Sequence, residues 1–111
     1  MLIKKLCRAI KQKQVIKFYY ESRTNQNKDW RIVEPYMVGI RKGNGNIFLT
    51  GWFIPSADQI LQNQKLGQKQ YLIDQIKKFT MLSRHFNTIK ISSTKIYNTP
   101  TINVICKIDI N

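Results

Sequence analysis

The sequence predicts a mainly β protein: an N-terminal helix followed by a small antiparallel barrel. Three observations carry that prediction. The apolar period changes from about 3.6 residues to 2 just after the first dozen residues. A Gly/Asn-rich turn, Lys42-Gly43-Asn44-Gly45-Asn46, separates two β-prone runs. Along the last run Ile102, Val104, Cys106, Ile108 and Ile110 recur at every second position, as in a half-buried strand.

The elements follow in order. Residues 2–13 place Leu2, Ile3, Leu6, Ala9 and Ile10 at helical spacing, with Lys4, Lys5, Arg8, Lys11 and Gln12 on the other side. This is a short basic amphipathic helix whose apolar stripe docks on a core rather than on a membrane. Residues 15–20 read as a strand with Ile16, Phe18 and Tyr20 on one face and Lys17 and Tyr19 on the other. A polar loop spans 22–29, and a second strand runs from 30 to 40. Pro35 cannot donate to a ladder, so this strand lies at an edge or is bulged there. Residues 47–53 are the returning strand of the hairpin. The Gln/Asn-rich stretch 55–68 is a loop with a one-turn helix around 57–61. Runs 71–76 and 79–82 fit either two strands joined by a tight turn or one helix starting near Asp74, and periodicity does not separate the two. Further β-prone runs cover 89–91 and 102–110, broken by Asn98-Thr99-Pro100. The total is one helix and about five to seven strands, with no internal repeat.

A chain of 111 residues, 42% apolar and 11% aromatic, supports one packed core and argues against disorder. Nineteen Lys and Arg face six Asp and Glu, a formal charge of +13. That excess points to an anionic partner, nucleic acid first, because each phosphate neutralised releases counterions and adds sequence-independent affinity. Cys7 and Cys106 belong to no Cys/His cluster of zinc-site spacing and are expected to be free, buried thiols. No signal peptide or membrane span is recognisable, so a cytoplasmic protein is expected.

Catalytic motifs are absent. Asp29, Glu34, Asp58 and Asp74 fall in separate elements, His85 has no partner motif, and no phosphate loop, nucleophile elbow or dinucleotide fingerprint occurs. No enzyme, metal or cofactor is expected. What remains is cations interleaved with aromatics: Arg31, Arg41 and Lys69 beside Tyr36, Phe48, Trp52 and Tyr71. Arginine pairs bidentately with phosphate and an aromatic face stacks a base. Most of Phe18, Phe48, Trp52, Phe53 and Phe79 are nonetheless needed to fill a core this small.

The ordered pieces Ile16-Lys17-Phe18-Tyr19-Tyr20, Arg31-Ile32-Val33-Glu34-Pro35-Tyr36, Asn46-Ile47-Phe48-Leu49-Thr50-Gly51 and Lys69-Gln70-Tyr71-Leu72-Ile73-Asp74-Gln75-Ile76 resemble the WYL domain over residues 3–86. The resemblance implies an Sm-like fold, a helix and a five-stranded bent antiparallel barrel, which favours strands around Asp74. It also implies a regulatory module that binds nucleotides or single-stranded nucleic acid in a basic pocket, in transcription regulation or in phage and CRISPR defence. The family's Trp-Tyr-Leu is Ile47-Phe48-Leu49 here. Lys69, Tyr71 and Gln75 stand where the family usually has Arg, Phe and Arg, so a planar fork and a charge are missing. No helix-turn-helix fits before residue 1, so reading of duplex DNA by that device is not expected.

The expected organisation is a WYL-like domain over 1–88 and a C-terminal β extension over 89–111 that provides a homodimer contact. The expected site uses Arg31, Lys69 and Arg41 for phosphate, Phe48 and Tyr71 for stacking, and Tyr20 and Gln75 for polar contacts. The alternative is a protein-interaction accessory with no nucleic-acid ligand, working through a sheet edge or the terminal strand.

Overall fold

The computed structural model describes residues 1–22, 28–88 and 102–109. Helix α1 (Leu2–Gln12) buries Leu6, Ala9 and Ile10 and leaves Lys4, Lys5, Arg8 and Lys11 on its outer side, as its spacing requires. Lys13 ends it in the left-handed conformation, φ 55°, with its N–H returned to the last turn. That cap reverses the chain into strand β1 (Gln14–Glu21), where Ile16 and Phe18 point to the core.

Strand β2 (Lys28–Arg41) is the spine of the sheet. Strand β3 (Ile47–Phe53) runs along one side of it. On its other side β1 pairs with the first half, up to Val33, and strand β6 (Ile102–Lys107) with the last part, from Met37 to Arg41. Pro35 falls between those two neighbours, and the β2–β3 register shifts between Pro35 and Met37. The proline is therefore accommodated by a bulge in a central strand, not by an edge position. Opposite it, Gly51 has no room for a side chain: a Cβ would stand 2.4 Å from Val33 Cγ1 and 2.7 Å from the Glu34 carbonyl oxygen.

The turn at 42–46 closes the β2–β3 hairpin through Gly45, whose φ of 72° few side chains tolerate. Helix α2 (Ala57–Leu61) starts with a capping box between Ser56 and Gln59. Strand β4 (Gly67–Leu72) pairs with β3, a single 3₁₀ turn follows at Ile73–Gln75, and strand β5 (Ile76–His85) pairs with β1. The strand option around Asp74 is thus the one adopted.

Among the described residues six strands form one antiparallel sheet in the order β4-β3-β2-β1-β5, with β6 added beside β2. Its two end strands are joined by three residues. Four inter-strand spacings in a flat sheet cover roughly 19 Å, whereas four Cα–Cα steps from Leu72 to Ile76 reach at most about 15 Å. The sheet must therefore curl. At that corner the Tyr20 hydroxyl accepts a hydrogen bond from the Leu72 N–H at 3.1 Å, which ties β1 to β4 across the concave face. The curl stops short of closure: among the described residues β4 and β5 form no ladder with each other, so the fold is a bent sheet and not the closed barrel that the sequence suggests.

The core gathers Phe18, Val33, Tyr36, Phe48 and Leu49 with Leu6, Ala9 and Ile10 of α1. Ile108, which follows β6, is 2% exposed in the same core. The β-prone run at 89–91 and the break at 98–100 fall outside the described residues. Cys7 on α1 and Cys106 on β6 form a disulfide, with Cα atoms 5.9 Å apart. This corrects the expectation of two free thiols. Their separation of 99 residues hid the pairing, which arises because α1 and β6 both pack against β2 and against each other.

Candidate functional site

The curl leaves a cavity of about 470 Å³ between β1, β2, β4 and the segment after α2, lined among others by Tyr20, Arg31, Phe53, Lys65, Lys69 and Tyr71. Strand alternation determines who faces it. Phe18 and Tyr20 share one face of β1, and the register Phe18↔Arg31 puts the arginine on that face of β2. Tyr71 meets Tyr20 edge-on at 5.1 Å and Phe18 at 5.2 Å, so three rings make a rigid wall. Burial pushes the Tyr71 phenol well above its ordinary pKa, with nearby Arg31 opposing and Tyr20 adding to the rise. It is a neutral hydrogen-bond donor at any physiological pH.

Arg31 is the buried cation of the site, 6% exposed. Its guanidinium donates to the Trp30 carbonyl at 3.1 Å, lies over the Phe53 ring at 5.4 Å, and stands 3.8 Å from the Asp29 carboxylate. Asp29 is itself fixed by Gln59, whose Nε2 donates to Asp29 Oδ2 at 3.0 Å and to the Trp30 carbonyl at 2.7 Å. The other end of the same amide accepts from the Ser56 N–H at 2.9 Å. One buried glutamine therefore caps α2, pins the start of β2 and orients the acid beside Arg31. Lys65 and Lys69 are exposed at the rim, so the cavity is deep in arginine and open in lysine.

The Gln59 hydrogen bond holds the Asp29 carboxyl below its ordinary pKa; burial works against it, and the Trp30 N–H and Arg31 add to the lowering. A depressed folded-state value means that the ionised acid contributes stability above its unfolded pKa and that this contribution disappears as the pH falls through the folded value. Wild-type protein is expected to lose more stability below about pH 4 than Asp29→Asn, whose side chain does not titrate. Urea midpoints of both proteins at pH 6 and pH 3 check this, and equal losses would show that Asp29 does not contribute.

Of the residues named from the sequence, Tyr20, Arg31, Lys69 and Tyr71 meet in this cavity. The other three do not line it. Arg41 packs over the Phe48 ring at 4.9 Å and donates to Gln70 Oε1, which places it behind the rim. Phe48 is 1% exposed, a core ring with no face for a ligand base. Gln75 is 6% exposed and opens on a separate depression of about 350 Å³ with Asn46, Ile47 and Asp74. Sequence reasoning missed Asp29, Gln59, Phe53 and Lys65. The spacing Ser56-Ala57-Asp58-Gln59 is that of a capping box, but nothing in it says that the glutamine also reaches β2.

Among the described residues no group of three His, Cys, Asp or Glu could hold a metal ion, and no helix is long and apolar enough to cross a membrane.

Known proteins supply the remaining observation. The fold resembles a solved structure of proteasome accessory factor B/C (PafBC) of Arthrobacter aurescens, with a TM-score of 0.60 and 18% identity. That likeness covers 77% of this chain but only 12% of the other, so this chain spans a small part of that protein's length. A comparison with curated proteins gave no match. The family model of the WYL domain matches residues 1–81, which include both strands that carry Tyr20 and Arg31 and the strand that carries Lys69 and Tyr71. By that match, over most of its length, the chain belongs to the WYL domain family.

Proposed function

We propose that the protein is a non-enzymatic regulatory module whose cavity senses a phosphate-bearing ligand with an aromatic base, a nucleotide or a single-stranded nucleic acid. The observation that carries this reading is Arg31, a buried guanidinium at the base of a cavity walled by Tyr20 and Tyr71 and rimmed by lysines. A buried arginine beside two phenol rings favours an anion that brings its own hydrogen-bond acceptors. An overall charge of +13 steers such anions toward the surface. Membership of the WYL family agrees with a sensing role in transcription regulation or in defence against phage.

Fluorescence anisotropy with labelled single-stranded DNA, single-stranded RNA and duplex, each at two salt concentrations, tests it. A preference for single strands that Lys69→Ala weakens supports the cavity. Equal binding to all three that salt erases entirely would reduce the interaction to general charge attraction.

One observation favours a second role in self-association or docking. Strand β6 pairs with β2 along one edge only among the described residues, and Val104 and Ile105 on it are 44% and 41% exposed. Deleting the strand is not a clean test, because Ile108 and Cys106 belong to the packed core and the disulfide. Sedimentation of Val104→Lys and Ile105→Lys against wild type is the sharper measurement: a dimer that these variants dissolve supports the second role.

A further inference from the structure

The convex face of the sheet carries a second cation–aromatic arrangement, on the side opposite the cavity. Strand alternation puts Lys17, Tyr19 and Glu21 on the face of β1 away from Phe18 and Tyr20, and the register Tyr19↔Trp30 and Glu21↔Lys28 continues that face onto β2. On β5, Lys77 is the partner of Tyr19, and Lys78 occupies a left-handed bulge, φ 51°, within the same register shift. The Lys17 ammonium lies 4.8 Å from the centre of the Trp30 ring, and that of Lys78 lies 5.9 Å from the Tyr19 ring. Tyr19 and Trp30 meet edge-on at 5.5 Å. Trp30 is 39% exposed, which is unusual for the largest ring a small domain owns.

From these positions we infer that the outer face of β1, β2 and β5 is a second binding strip for single-stranded nucleic acid, in which Trp30 stacks a base and Lys17, Lys28 and Lys78 contact consecutive phosphates. Charge complementarity selects this occupant. The strip holds Lys17, Lys28, Lys77 and Lys78 against the carboxylate of Glu21, and Lys77 is engaged with the Asp74 carbonyl at 3.1 Å. An acidic protein partner would share the charge but has no flat base to place on an exposed indole held edge-on by a tyrosine. The strip is also preorganised. Trp30 is gripped through its backbone, its carbonyl accepting from Gln59 and Arg31 and its N–H donating to Asp29 at 2.7 Å. The residues that set the cavity arginine thus also set the outer tryptophan, so a strand could cross the rim of the sheet and contact both faces. The strip does not depend on the cavity reading, since none of its side chains lines the cavity.

The test uses the full chain with Trp52→Phe, which leaves Trp30 as the only tryptophan. Titration with a twelve-nucleotide oligo(dT) is expected to quench Trp30 fluorescence, with affinity falling as salt rises. The double variant Lys17→Glu/Lys78→Glu should weaken binding about ten-fold or more and flatten the log Kd against log salt slope by roughly 1.4, since each phosphate left unneutralised on a single strand changes that slope by roughly 0.7. Trp30→Ala, followed by anisotropy, should cost about ten-fold through stacking alone. Lys42→Ala, in the exposed β2–β3 turn and outside both the cavity lining and the strip, should leave the quench and the salt slope unchanged. Binding that Lys69→Ala removes while the double variant and Trp30→Ala leave it intact would overturn the strip and keep the cavity reading. Failure of the unmodified chain to bind any oligonucleotide would overturn the strip as well, and a nucleotide that still binds would then leave the cavity reading standing.

Discussion

Reduction of the Cys7–Cys106 disulfide is expected to lower stability by about 4 to 5 kcal/mol, because the bond closes a loop of 99 residues, nearly the whole chain. Cross-linking so long a loop restricts the unfolded ensemble more than a short one does. A domain of this size is stable by roughly 5 to 15 kcal/mol, so the bond accounts for a third or more of the total. With a urea dependence of about 1 to 3 kcal/mol per molar, the midpoint should fall by roughly 1.3 to 5 M. Wild type with a dithiol reductant and Cys7→Ser/Cys106→Ser without it should coincide. A midpoint that neither treatment moves would mean the two sulfurs are not joined. The reduced chain should remain helical and β-rich at low urea, because Leu6, Ile10 and Ile108 still hold α1 and the end of β6 against the core.

Truncation of Arg31 is expected to have the largest effect on ligand binding. Removing one partner of a buried charged pair costs about 2 to 5 kcal/mol, so Arg31→Ala should weaken nucleotide or oligonucleotide affinity by roughly 30-fold or more. Arg31→Lys should recover part of that affinity, since it restores charge without the planar fork that matches phosphate. Lys69→Ala, at the exposed rim, should cost far less and reduce mainly the salt dependence. Two readings of a weakened Arg31→Ala are separated by a urea titration of the same variant. Reduced affinity in a protein whose unfolding midpoint is close to wild type assigns the effect to direct ligand recognition. Undiminished binding by folded Arg31→Ala would remove the guanidinium from the site.

The order of elements was legible in the sequence because each local signal agreed with its neighbours. The helical stripe of Leu6, Ala9 and Ile10, the alternation through Ile16 and Phe18, the Gly45 turn and the α2 turn at Ala57–Leu61 all appear where their patterns place them. Pro35 announced a bulge, although its strand proved to be the most central one. Half of the site was legible too: Tyr20, Arg31, Lys69 and Tyr71 come from strands whose alternation and family resemblance put them on one face.

What the sequence determined by itself was local: period, turn chemistry, charge and the faces of single strands, all of which depend on neighbours within a few residues. The tertiary structure alone decided which faces close on each other. A three-residue link between the end strands bends the sheet without sealing it, and that bend turns the Phe48 ring into core while it opens a cavity at Arg31. It also brings Gln59 to Asp29 across 30 positions and Cys7 to Cys106 across 99, contacts that no local pattern encodes because their energy depends on chain closure and packing rather than on propensity.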